Sequence, residues 1–415
     1  MSLLNAVDEI RNELADFTRE IVRVPSLTGE EGRVAEILLR KLREFGLDEC
    51  WIDGIGNVVG VLRGEGKGPN VLLNSHMDVV PPGSLRNWQH DPFGAEIDRD
   101  GVMFGRGTTD MKGGLASLVF TMLFMKRLRS AGFEIPGNII FSSVVGEEAA
   151  EMFGMEYLCK TTLPERGLAF DVCYLAEPTG GQINLGHRGK VEIVLETQGK
   201  TAHASRPWQG INALEKMLPV LDVIFHDMGP KLPADPDLGK CSITVTNLIC
   251  KPGTMSITPD SCEIFIDRRY TPEENIDGVL AEFGALIERM KDHDSEFRAT
   301  ARIRTVLETS YTGYQKEVRK NHPVWITQRD HPFVQKTHRA LEHSGQRSEY
   351  GYFIGGVDGA YTAGLMGVPT IGYSGADEKL AHSAEEHTTV DTLVADTRAY
   401  VAILCELSGI DCLSA

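Results

Sequence analysis

The chain runs to 415 residues, 42% of them hydrophobic and 24% charged, which is a globular composition too long for one comfortable core and so predicts two domains. With 42 basic and 59 acidic residues the formal charge is −17, which argues against a nucleic-acid or anionic-membrane partner that would need a basic face. No apolar run approaches the ~20 residues of a membrane span, and the eight cysteines, at 50, 159, 173, 241, 250, 262, 405 and 412, form no C-x-x-C pair and read as reduced thiols of a cytoplasmic protein.

The N-terminal "MSLLNAVDEIRNELADF" takes up charge too early for a secretory leader and predicts an amphipathic helix over about 4–22. A second helix is expected at about 30–45. The runs "NVVGVLRG" and "NVLLNSHMDVV" read as strands, followed by a helix from "GGLASLVFTMLFMKRLRSAG" and the strands "NIIFSSVV" and "CYLAEP". Strands alternating with helices of this length predict a mostly parallel α/β sheet, whose sites lie at the carboxyl ends of the strands.

The middle of the chain changes character. "KVEIVLETQGK" alternates as a half-exposed strand, "INALEKMLPVLDVIFHDM" has helical periodicity, and "CSITVTNLIC" and "SCEIFIDRRY" are again strands. "TPEENIDGVLAEFGALIERMKDH" predicts a helix with Thr271 as N-cap, Pro272 at N1 and Glu274 at N3, and "RATARIRTVLE" closes the set. The order β-α-β-β-α-β predicts a ferredoxin-like unit inserted into the first domain. From about 325 the pattern returns to α/β, with "PFVQKTHRALEHSG", "VPTIGYSG" and a final helix.

Five places put His, Asp or Glu just past an apolar run. In "LLNSHMDVVPPG", His76 and Asp78 share a strand face, so the carboxylate can orient the imidazole. Asp110 lies in the glycine-rich "GRGTTDMKGG", which matches neither nucleotide-binding glycine spacing. Glu147 and Glu148 follow the strand "NIIFSSVVG", Glu177 ends "YLAEP", and His382 stands in "LAHSAEEH". Singly, each admits a plainer reading as a strand-end pair, a helix cap or a solvated side chain. Together, His76, Asp110, Glu148, Glu177 and His382 form a cysteine-free N/O donor set that suits hydrolytic zinc, cobalt or manganese. If one carboxylate bridges, the set suffices for two ions, which would polarise an acyl oxygen and acidify a water. A non-ligand carboxylate must then carry the proton, and Glu147 is the one left over.

The motifs "SHMDVVPPG", "GRGTTDMKGG", "GEEAA", "AEPT", "GHRG", "TAHASRPWQGINA", "DRRY" and "AHSAEEH" run in order along essentially the whole chain. In this it resembles the dinuclear zinc amidohydrolase/exopeptidase family of acetylornithine deacetylase, succinyl-diaminopimelate desuccinylase, aminoacylase-1 and the glutamate carboxypeptidases. The resemblance implies a zinc-exopeptidase-like, mostly parallel sheet with helices on both faces. It divides the chain into a catalytic domain at 1–187 and 313–415 and an inserted lid and dimerisation domain at 188–312. It also implies two divalent ions, zinc foremost with cobalt or manganese as alternatives. His76, Asp110 and Glu177 would hold one ion and Asp110, Glu148 and His382 the other, with a cis peptide after Asp110. Asp78 would orient His76, Glu147 would be general base and acid, and His203 would stabilise the oxyanion, in dimers from the partner subunit. Arg188 and Arg269 match positions that grip a substrate carboxylate, a task suited to a guanidinium fork. Asp358, in "IGGVDGA", matches a turn near the substrate, though a purely structural turn reads equally well.

One departure bears on specificity. Relatives acting on acyl-amino acids often carry Asn-x-x-Pro in the lid where this chain reads "MSITPD", with Ser256 at the asparagine's place. The implied activity is hydrolysis of an amide in an N-acyl amino acid, or alternatively in a short peptide by a dipeptidase or carboxypeptidase. A dinuclear phosphoesterase and a catalytically inactive binding protein are the remoter readings. The partners implied are a small carboxylate-bearing substrate and a second copy of the chain.

Overall fold

The apolar strands at 58–62, 71–76, 139–144 and 172–175 are buried along their whole length in the computed structural model, which describes residues 3–411. Alternate side chains of these strands enter two separate cores. Val71, Leu73, Phe141 and Tyr174 pack under the helices Arg11–Val22, Gly32–Glu44, Lys112–Ser130, Pro332–His343 and Val390–Ser408. Leu72, Ile140, Val144, Cys173 and Leu175 face Met155, Leu158, Leu163 and Tyr361 on the other side. A period of two along buried strands therefore gives helices on both faces of one sheet.

That sheet has nine strands in the order Glu49–Ile52, Val58–Leu62, Ile139–Val144, Val71–His76, Val172–Leu175, Thr370–Gly372, Ile183–His187 and Trp325–Ile326, with Tyr350–Phe353 also paired to Ile183–His187. The strands from Ile139–Val144 through Thr370–Gly372 run parallel, whereas Val58–Leu62 pairs antiparallel on both of its edges. The antiparallel pairing of Glu49–Ile52 with Val58–Leu62 follows from the hairpin at Asp53-Gly-Ile-Gly-Asn57, where the Asp53 carboxylate accepts the backbone N–H groups of Ile55, Gly56 and Asn57.

A second, five-stranded antiparallel sheet is ordered Ser242–Lys251, Ser261–Tyr270, Gly189–Gln198, Arg298–Ile303, with the short strand Asn321–His322 on Gly189–Gln198. Helices Ala213–Val223 and Ile276–His293 cover one face, joined to it through Ile193, Leu195, Ile264, Met217 and Phe283. This is the ferredoxin-like order expected.

Three local expectations need correction. The first helix is interrupted at Ile10, giving Leu3–Glu9 and Arg11–Val22. The helix predicted to start after Thr271 starts at Ile276, capped by Asn275, whose side chain accepts the N–H of Gly278. Thr271 and Glu274 form a preceding turn in which the Thr271 N–H donates to the Glu274 carboxylate at 3.2 Å. The strand predicted from "RATARIRTVLE" is split at Arg304 into Arg298–Ile303 and Thr305–Thr309, and the second piece pairs in a hairpin with the unpredicted strand Gln315–Arg319, the 312/313 boundary falling in its turn. Tyr311 docks it on the large sheet's side, its hydroxyl donating to the Gly56 carbonyl at 2.9 Å.

Cys50, Cys159, Cys173, Cys241, Cys250 and Cys262 are free thiols, and Cys412 lies outside the described residues. Among the described residues no helix is long and apolar enough to cross a membrane.

Candidate metal centre

Three adjacent parallel strands deliver the first side chains. Val71–His76 ends in His76, Val172–Leu175 is followed by Glu177, and Ile139–Val144 is followed by a left-handed Gly146 (φ 71°) and the short helix Glu147–Ala150. Because the strands are in parallel register, these ends come out side by side. Asp110 arrives from the turn before helix Lys112–Ser130, and the Asp110–Met111 peptide is cis. His382 comes from the loop before strand His387–Thr389.

His76 Nε2 stands 3.2 Å from Asp110 Oδ1, 3.7 Å from Glu177 Oε1 and 4.0 Å from Glu147 Oε2. His382 Nε2 stands 3.3 Å from Asp110 Oδ2 and 3.0 Å from Glu148 Oε2. Asp110 thus lies between the two imidazoles, one carboxylate oxygen toward each. The five residues that sequence groups as ligands are together, and Glu147 is beside them.

The electrostatics of this cluster are those of a site short of positive charge. Burial, followed by the repulsion of neighbouring carboxylates, raises Glu147 and Glu177 well above the usual carboxylate range, with His76 opposing both. Burial and Asp110 raise Glu148. Hydrogen bonds donated by His382 to the Asp110 and Glu148 carboxylates push its imidazole up to about 10. Glu148 Oε1 is buried without a hydrogen-bond partner. An orphaned carboxylate oxygen among four acidic side chains and two imidazoles fits divalent cations, whose charge would offset the desolvation. Two ligand-competent groupings, His76 with Asp110 and Glu148 and His76 with Glu147 and Glu177, place their donor atoms within 4.8 Å of one another.

Asp78 does something the sequence did not reveal. The Nδ1 of His76 lies nearest the backbone carbonyl of Asp78, at 2.9 Å, with the Asp78 carboxylate at 3.5 Å. That carboxylate accepts the Glu147 N–H at 3.1 Å, the Glu148 N–H at 3.0 Å and the Thr28 hydroxyl at 2.7 Å. It therefore caps the helix that carries the adjacent glutamates as well as flanking His76.

Glu386 carries no signal in the sequence. It is the second acid of "AEEH", and nothing in the spacing separates it from its exposed neighbour Glu385. Its buried carboxylate pairs with the buried Arg106 guanidinium and accepts the N–H groups of Gly107, Thr109 and Asp110 at 2.9, 3.1 and 3.1 Å. Asp358 is also buried and accepts from Asn74 Nδ2 at 2.9 Å; burial raises its carboxyl to about 6.

The remaining candidates lie on or near the five-stranded sheet. His203 is exposed, its Nδ1 bonded to the Ser205 hydroxyl at 2.9 Å. Its loop pairs with the Ser256 loop, since the Ala204 N–H donates to the Ser256 carbonyl at 2.9 Å. Arg188 donates to the Lys240 carbonyl, and the Arg269 fork is taken by both oxygens of Asp267, at 2.8 and 3.1 Å.

Gly114 explains part of the "KGG" sequence. A β-carbon there would lie 2.2 Å from the carbonyl oxygen of Ala176, the residue before Glu177. The missing side chain lets helix Lys112–Ser130 approach the strand end and brings Asp110 to Glu177. Gly→Ala within a helix ordinarily stabilises by about 1 kcal/mol. Here Gly114→Ala is expected to destabilise by about 1–3 kcal/mol through overpacking. Urea unfolding checks the sign, and a gain in stability would contradict the close approach.

A family model described as peptidase family M20/M25/M40 matches residues 72–406. The chain is 30% identical over 403 residues to the uncharacterized protein YgeY of Escherichia coli (strain K12), covering 97% of this chain and 96% of that one. It is 28% identical over 437 residues to the N-formyl-4-amino-5-aminomethyl-2-methylpyrimidine deformylase of Bacillus subtilis (strain 168), covering 96% and 95%. The solved di-peptidase Dug1p of Saccharomyces cerevisiae shares the fold at a TM-score of 0.73 and 14% identity, over 98% of each chain.

Proposed function

The chain belongs to peptidase family M20/M25/M40, a family of metal-dependent hydrolases, and we propose that it cleaves the amide bond of an N-acyl amino acid or a similar small carboxylate-bearing amide. The observation that carries this reading is the pairing of a ligand set with a separate acid. His76, Asp110, Glu148, Glu177 and His382 converge, the buried Glu148 Oε1 lacks a partner, and Glu147 stands one residue away. His76, Asp110 and Glu177 would hold one divalent ion and Asp110, Glu148 and His382 the other, zinc foremost, with cobalt or manganese as alternatives. When bound, the pair would acidify a water molecule and polarise the acyl oxygen.

The protein's own groups do the rest. Glu147 accepts a proton from the attacking water as the water oxygen bonds the acyl carbon. As the C–N bond breaks, Glu147 returns that proton to the departing nitrogen, leaving an amine and a carboxylic acid that ionises by giving its proton to the amine or to water. Burial raises the proton affinity of the Glu147 carboxylate, which favours its taking the water's proton. Asp78 fixes both glutamate amides, so base and ligand keep one spacing.

Residues 188–312 would act as a lid. His203, exposed on it, would steady the oxyanion, and Arg188 would grip the substrate carboxylate; Arg269 would have to exchange Asp267 to join it. Homodimerisation through this unit is supported by the end strand Ser242–Lys251, where Leu248 and Ile249 are each 40% exposed. The free thiols suit a cytoplasmic setting.

N-acyl cleavage is preferred to peptide cleavage because the deformylase likeness spans the sequence, whereas likeness to Dug1p is one of fold. The test is a panel of N-formyl, N-acetyl and N-succinyl amino acids and dipeptides, with release of free amine measured. Chelation is expected to abolish turnover, and zinc or cobalt to restore it. Cleavage of dipeptides alone would establish the peptidase alternative, and activity indifferent to chelation would overturn the metal centre.

A further inference from the structure

Both connections between the two sheets end on one buried acid. The outgoing connection enters strand Gly189–Gln198 and carries Lys190; the returning one carries Lys320, just ahead of strand Asn321–His322. These two stretches are neighbours, since His322 pairs with Lys190 across the ladder and the Glu192 N–H donates to the Lys320 carbonyl at 2.9 Å. Lys190 Nζ donates to Glu151 Oε1 at 3.0 Å. Lys320 Nζ stands 2.9 Å from Glu151 Oε2, within ion-pair range but without hydrogen-bond alignment. Lys320 also donates to the Ala149 carbonyl and to Glu308.

Glu151 and Ala149 belong to the short turn that carries Glu147 and Glu148. The Ala149 carbonyl is one of the orphan acceptors at the end of that helix, where an ammonium group is favourable. Glu151 itself has φ 52° and ψ −136°, outside even the left-handed helical region, which a residue with a β-carbon holds only when its surroundings enforce it. It is 4% exposed.

Charge closes around it. Lys190, Lys320 and Arg304 face Glu151, Glu192 and Glu308, with Arg304 at 2.7 Å from Glu192 and Lys190 at 3.0 Å from the same residue. Five of these six charges, all but Glu151, belong to the inserted unit and the connection that returns from it. Within the set, Glu151 is the side chain that comes from the helix bearing the paired glutamates.

We infer that Lys190, Glu151 and Lys320 form a clasp by which the inserted sheet positions the Glu147–Glu148 helix from its C-terminal end. Asp78 holds the other end of the same helix, so the two glutamates are suspended between a cap from the large sheet and a clasp from the small one. Lys190 and Lys320 are thus positioning residues, acting on the reacting groups through Glu151 and Ala149. The assignment of consequence rests on the reading of Glu147 and Glu148 as base and ligand given above.

The test uses the full-length, metal-loaded protein and the variants Lys190→Met, Lys320→Met, Lys320→Arg and Glu151→Gln. Amide hydrogen exchange is followed at residues 147–152 and, as an internal reference, in helix Lys112–Ser130. In Lys190→Met and Lys320→Met the turn is expected to exchange about tenfold faster while the reference helix is unchanged. A displacement of under an ångström at a reacting group is enough for kcat to fall by about 10–100-fold, with KM held within about threefold. Lys320→Arg, which keeps the charge, is expected to recover most of both. Lys190→Met leaves the Lys320 contacts intact and keeps the test available if Lys320→Met does not fold. Exchange at 147–152 unchanged in the folded variants would overturn the clasp, as would a uniform rise throughout the protein, which marks a merely stabilising network. Exchange needs no turnover, so a failure of the amidase reading would silence the kinetic arm and leave the exchange arm to decide.

Discussion

Glu147→Gln is expected to keep the full complement of bound metal and to lose kcat by about 10³-fold, within the range associated with removing a general acid–base. Glutamine preserves the shape of the side chain and the backbone N–H that donates to Asp78, so the helix and its neighbour Glu148 stay in place. What it removes is the capacity to take and return a proton. The geometry supplies an alternative that the same experiment separates. Glu147 Oε2 is 4.0 Å from His76 Nε2 and falls within one of the two ligand-competent groupings. If Glu147 were a ligand, Gln would lower the metal stoichiometry along with kcat. Metal analysis of the purified variant beside single-turnover kinetics distinguishes the two, and an active variant would remove Glu147 from the mechanism.

Glu386→Ala is expected to cost about 3–5 kcal/mol of stability, the range for breaking a buried ion pair by removing one partner. Arg106 would be left charged at 2% exposure, with Trp88 stacked 5.3 Å from its guanidinium and no carboxylate. Three backbone N–H groups, of Gly107, Thr109 and Asp110, would lose their acceptor at the same time. The turn that presents Asp110 between the imidazoles would then be free to move, so activity is expected to fall further than the unfolded fraction alone accounts for. Denaturant unfolding gives the first quantity and activity corrected for folded fraction gives the second. A loss below about 1 kcal/mol would mean that Arg106 finds another partner.

How far the sequence discloses all this depends on the kind of residue. His76, Asp110, Glu148, Glu177 and His382 are legible because each follows an apolar run and because the family motifs place them in order. Burial on both strand faces likewise follows from continuous apolar runs. Glu386 and Glu151 are not legible in that way: Glu386 stands beside the exposed Glu385, Glu151 follows two alanines outside any motif, and only the fold selects these two for burial. Thr271 was a plausible cap until Asn275, four residues on, took the role. Asp78 was expected to act on His76, yet most of its hydrogen bonds go to the glutamate helix and Thr28, contacts between segments that no local pattern connects. Of the 305–319 hairpin the sequence shows the first strand, as the end of "RATARIRTVLE", but not the second, Gln315–Arg319, which carries one apolar residue, and its docking rests on Tyr311.

The place of strand Thr370–Gly372 has a consequence for biosynthesis. It lies between Val172–Leu175 and Ile183–His187, so the central sheet has an open slot until a segment made long after its neighbours is threaded into it. His382 and Glu386 come later still, beyond the end of that strand. A nascent chain would therefore carry all three proposed acidic ligands, Asp110, Glu148 and Glu177, before it can either close the sheet or present the second imidazole. On the proposed ligand set, metal-binding competence would be gained late, by an almost finished molecule rather than a growing one, and long-range pairing of this kind would slow its maturation.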